Sequence, residues 1–180
     1  MHQLAFASLT WREGPMPGAS PIRMARLPKL ADGAFRAFVR FPPGWARSQR
    51  GHYEAWEEFI VLEGELALDD HRWQAGGYAW IAPSRLRTNL RSETGCLVFA
   101  TFSSTPRWVA TDPVRPAESD IAYAHWRDAP REEVGHLLRA GSWVTERAPH
   151  AFETLGLRSL TWSAPGAPQP AGEPLFARST

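Results

Sequence analysis

Residues 51–64 read GHYEAWEEFIVLEG, setting one imidazole, His52, and three carboxylates, Glu54, Glu57 and Glu58, against an apolar run that ends at Gly64. Groups of these types at this density hold a divalent cation, pair with a cationic side chain, or lie solvated on the outside of a sheet. In a strand, residues two apart share a face, so His52 and Glu54 project to the same side. Glu57 then groups with Phe59 and Val61, and Glu58 with Ile60 and Leu62. One glutamate of the pair faces the core in either register. A carboxylate buried without a partner costs several kcal/mol or is forced to protonate, so something must compensate it. One imidazole with two carboxylates is a hard donor set, suited to Mn, Fe(II) or Zn with coordination positions left open. On that reading the metal ligands are His52, Glu54 and whichever of Glu57 and Glu58 faces inward.

The elements that position these groups read as short strands. In AFRAFVRF, residues 34–41, Phe35, Ala37, Val39 and Phe41 fall on one face, with Arg36 and Arg40 on the other. PPG at 42–44 turns the chain. Residues 58–62 and 65–68 read as a hairpin about Gly64, and DDH at 69–71 marks a second turn. Residues 78–82 and 96–102 are further strands. Many short strands at this spacing predict an all-β sandwich or barrel. From about Pro106 the texture becomes linker-like; PREEVGHLLR at 130–139 is the one helix candidate, and 163–173 reads as irregular.

Residues 44–102 resemble the core of the cupin superfamily. Gly44 opens the first motif, His52-Tyr53-Glu54 occupies its His-x-His site, and six residues separate Glu57 from Gly64. In the second motif five residues separate Gly77 from Pro83, and its histidine position falls on Thr88. EEFIVLEGEL followed by GGYAWIAP is similar to ChrR-like and acetylacetone-dioxygenase-like cupins. The resemblance implies a cupin-type double-stranded β-helix, or jelly roll, over residues 1–105, with 106–180 as an extension packed on the barrel or on a second subunit. It also implies a divalent metal held by three His and one Glu. Here Glu54 and Thr88 stand where two of those histidines would be. Arg85 and Arg87 lie beside the second of these positions, so a guanidinium–carboxylate pair is the rival to a metal. Trp80, Arg87 and Thr88 are the ligand-binding candidates, with Trp56 as further cavity lining.

Two functional readings follow. One is a cupin that binds a divalent metal and a small organic ligand, with dioxygenase-like chemistry implied by the resemblance. The other is a non-enzymatic small-molecule-binding or sensor cupin that has lost its metal. A net charge of +1 over 180 residues argues against nucleic acid or an anionic membrane as partner. No apolar run is long enough for a membrane span, and no nucleophile motif or P-loop is present. Cys96, in the apolar run GCLVFATF, reads as a buried thiol. With no second cysteine and no leader-like N-terminus, the expected location is cytoplasmic. His71 is expected at an exposed turn, and His125, His136 and His150 at the surface. Exposed sheet edges paired between subunits would give a homodimer.

Overall fold

The computed structural model describes residues 3–113, 122–125, 142–145 and 151–178, of which 122–125 and 142–145 are described through their backbone. The helix expected at 130–139 lies outside the described residues, as do His136 and His150. Among the described residues every regular element is a strand, apart from one 3-10 turn at Phe6–Ser8. The chain divides into two compact units, Trp11–Tyr123 and Met1–Thr10 with Ala124–Thr180. That division falls later than the change of texture at Pro106, because Trp108–Val109 still pairs with His52–Tyr53.

In the first unit the strands follow the order Gly77–Ile81, Glu57–Leu68, Cys96–Phe102, Phe35–Phe41, Ala19–Arg26, Arg12–Met16, with neighbours hydrogen-bonded. The curl into a jelly roll comes from the longest strand. The first part of Glu57–Leu68 pairs with Gly77–Ile81 and Cys96–Phe102. Its last part pairs instead with His71–Gln74 and Leu90–Ser92, and Leu90–Ser92 in turn pairs with Trp45–Arg47. One strand therefore serves both layers.

Gly64 is where it bends. The sequence pattern places a hairpin turn there; the structure instead shows a continuous strand, with φ +71° at Gly64 and a register shift beside it between Leu97 and Val98. A bulge combined with a left-handed residue re-aims a strand without ending it. The tight turn falls at Asp69–Asp70, where Leu68 pairs with His71 and Asp69 takes φ +52°. His71 is consequently half-buried, its ring stacked on Trp73 at 5.8 Å, rather than exposed at a turn.

Both faces of the curled sheet are buried. Phe41, Phe59, Ile81, Val98 and Phe102 line the barrel interior. Phe38, Ile60, Tyr78 and Phe99 alternate with them on the opposite face, where the Phe38 and Phe99 rings lie 5.3 Å apart. This double burial explains why residues 59–62 read as a continuous apolar run rather than an alternating one. Cys96 is buried and unpaired, and burial raises its thiol to about 11. It should therefore resist iodoacetamide at pH 8 in the native protein and react once urea unfolds the chain. Native-state labelling at the unfolded rate would contradict that placement. Because the folded thiol holds its proton longer than the unfolded one, this group's contribution to stability falls as pH rises from about 9 to about 11.

The second unit is an antiparallel sheet ordered Gln3–Leu4, Trp162–Ser163, Glu153–Gly156, Leu175–Arg178, Ser142–Thr145. Arg178 pairs with Glu153 at 3.1 Å, and the Trp162 indole N–H donates to the same carboxylate at 2.7 Å. The buried charge is thus compensated within the sheet.

Candidate functional site

The barrel encloses a cavity of about 280 Å3, lined chiefly by hydrocarbon. Its polar side is built by strand alternation. In the two-residue strand His52–Tyr53, which pairs antiparallel with Trp108–Val109, Tyr53 faces the cavity together with Trp108. His52 and Glu54 share a face, as their spacing requires, but it is the other face. They line a separate shallow cleft with Ser84, Thr111 and Asp112. His52 Nδ1–H donates to the Thr111 carbonyl at 3.0 Å. Glu54 is exposed and clasped by Arg107, whose Nε and Nη2 donate at 2.9 and 2.7 Å. Arg50 holds Asp112 in the same forked manner, and that hydrogen bonding keeps the Asp112 carboxyl below its ordinary range.

Of the paired glutamates, Glu57 faces the cavity. Glu58 lies on the opposite face, where the Tyr78 hydroxyl donates to it at 2.9 Å. Trp80 pairs with Glu58 across the strands and shares that outer face. Arg87 enters the cavity beside Glu57. Its backbone is fixed by reciprocal hydrogen bonds with Gly51, at 2.8 and 3.1 Å. Thr88, one residue on, turns outward: its N–H and hydroxyl both donate to Asp69, at 2.9 and 2.6 Å. Trp56 is half-buried and is not part of the cavity lining. Of the six sequence-derived site residues, the barrel interior therefore brings together Glu57 and Arg87 only. Among the described residues, no three His, Cys, Asp or Glu side chains converge as a metal-ligand set.

What the cavity does hold is an ion pair. Arg87, 3% exposed, donates through Nη1 to Glu57. Its guanidinium lies over the Tyr53 ring at 4.8 Å. Arg47, 1% exposed, lies behind the same aromatic wall, 3.8 Å over Trp108, and donates to the Tyr53 hydroxyl at 3.3 Å. Burial pulls the Arg47 guanidinium below its ordinary value; Tyr53 opposes that shift, and repulsion from Arg87 adds to it. Cation–π contact of this kind compensates part of the desolvation of a buried guanidinium. Gly51 makes the wall possible, since a side chain there would meet the Trp108 ring and the Val109 carbonyl.

The profile of the ChrR cupin-like domain matches residues 2–105. The chain belongs to this cupin family. Solved structures similar to this cupin include a candidate dioxygenase from Nostoc punctiforme, 13% identical, with a TM-score of 0.78 over 98% of this chain and 81% of that one. A candidate glyoxylate-induced protein from Pseudomonas aeruginosa is 16% identical, with a TM-score of 0.55 over 92% of this chain and 79% of that one. A candidate acetylacetone dioxygenase from Methylibium petroleiphilum is 18% identical, with a TM-score of 0.51 over 70% and 89%. At these identities the likeness establishes the fold. No curated protein matches the chain.

Sequence reasoning missed Tyr53, Arg47 and Trp108. Trp108 lies in the stretch read as linker. Tyr53 sits between the two motif positions, and its inward direction is set by pairing with residues more than fifty positions away. Arg47 shares the buried face of its strand with Trp45, with Ala46 exposed between them, and that spacing was the one local signal available.

Proposed function

We propose that this cupin binds a small organic molecule in its barrel, with the Glu57–Arg87 ion pair in the place where a metal would be expected. The buried pair inside an otherwise apolar cavity is the observation that carries this reading. The residues present do not fit a divalent metal there. Glu57 is committed to a guanidinium, a cation already faces it, and His52 and Glu54 open into a different cleft. A second cation beside Arg87 would meet repulsion with one carboxylate to offset it. No step is therefore routed through a metal.

A cavity of 150 Å3 accepts benzene, so about 280 Å3 suits a ligand of roughly ten to twelve non-hydrogen atoms. The test is a thermal-shift screen of small metabolites in that size range on protein dialysed against EDTA. Wild type is compared with Val98→Trp, which fills the cavity. A compound class that raises Tm in wild type and leaves the filled variant unchanged is expected. A screen without such a class, or shifts that require added Mn, Fe(II) or Zn, would overturn the proposal.

The same reading makes His52 dispensable for the ligand. His52→Ala removes one hydrogen bond, worth about 1 kcal/mol, and should leave ligand affinity within about twofold, less than about 0.5 kcal/mol. Loss of binding in that variant would return His52 to the site.

A further inference from the structure

We infer that the ligand is a carboxylate, a small organic acid whose anionic head docks on Arg87 and whose apolar body fills the barrel. This rests on the ligand-binding reading above and names the ligand class.

The first argument is charge. Arg47 and Arg87 are both buried, and Glu57 is the carboxylate that acts on both of them. Glu58 is held on the opposite face by Tyr78, and His52 and Glu54 open to the other cleft. Among the described residues the cluster thus has two cations to one anion in a low-dielectric setting, where an unbalanced charge is strongly disfavoured. A monoanion balances it; a phosphate dianion would overshoot.

The second is geometry. Glu57 engages Nη1 of Arg87, while Nε and Nη2 have no hydrogen-bond acceptor among the described residues. Those two nitrogens form the guanidinium edge that takes a carboxylate through two parallel bonds. The protein uses this edge elsewhere: Arg107 clasps Glu54 by it, and Arg50 clasps Asp112. In Arg87 the same edge is buried and meets no acceptor among the described residues.

The third is the surroundings. Phe59, Leu68, Ile81, Val98 and Phe102 offer hydrocarbon contact, which selects an acid with an aryl or alkyl body over a polar one.

Matched probes test this. Phenylacetate and cinnamate, with their neutral amides, are titrated calorimetrically into wild type and into a variant combining Glu57→Gln with Arg87→Met. That pair of changes removes both members of the ion pair together, so neither is left without its partner, while Arg47 keeps its contacts with Tyr53 and Trp108. Acids binding wild type at least about tenfold tighter than amides, a preference the double variant loses, is the expected result. Amides that match the acids would overturn the carboxylate assignment and leave ligand binding standing. An acid preference that survives in the double variant would overturn the role of Arg87. Failure of all four probes, with hits of another class in the metabolite screen, would overturn the carboxylate assignment alone; failure of both would remove the ligand-binding reading as well.

Discussion

Arg87→Met should destabilise the barrel by about 3 kcal/mol, because it leaves Glu57 facing an apolar cavity without its cation. The lower end of the range for broken buried pairs applies, since the Glu57 side chain is 13% exposed and can recover some water. Adding Glu57→Gln should restore most of the loss, as replacing both members of a buried pair is often neutral. Urea unfolding of the two single variants, the double variant and wild type gives the coupling directly. Additive effects would mean that the two side chains do not depend on each other, and the site as described would fall.

Gly64→Ala should be comparably damaging for an unrelated reason. At φ +71° a Cβ costs about 1–2 kcal/mol in backbone strain alone. Here the added atom would also collide with the Gly95 carbonyl oxygen, which belongs to backbone and has no rotamer to yield. Overpacking of that kind adds about 1–3 kcal/mol, for a total of roughly 2–5 kcal/mol. Since Gly64 bends the strand shared by both layers, the loss should appear as a fall in Tm of the barrel. An Ala variant within about 0.5 kcal/mol of wild type would show that the bend is not needed.

The same glycine shows how far the sequence could be read. Apolar alternation and Pro/Gly punctuation locate the strands well: Phe35–Phe41 and Cys96–Phe102 lie where the pattern puts them. A glycine between two apolar runs reads locally as a turn, whereas a bulged, continuous strand is decided by its partner, Cys96–Phe102. The site shows the same limit. That Glu57 and Glu58 take opposite faces follows from strand geometry, but which one meets the cavity depends on pairing with Gly77–Ile81 and Cys96–Phe102. His52 and Glu54 do share a face, yet the direction of that face is set by Trp108–Val109, in a stretch without an obvious strand signal. The motif spacing put the second motif's histidine position at Thr88, while the residue that enters the cavity is Arg87, one step earlier. In a strand, one step is the difference between inside and outside.

The central claim is that a guanidinium–carboxylate pair, rather than a metal, organises this barrel. The most direct measurement is the metal content and metal affinity of protein purified without a metal-affinity tag, by elemental analysis and by calorimetric titration with Mn, Fe(II) and Zn. Wild type, His52→Ala and Glu57→Ala should all carry sub-stoichiometric metal and bind each ion weakly and alike. Near-stoichiometric metal in wild type, abolished by both substitutions, would contradict the account and make residues 52–57 a coordination site.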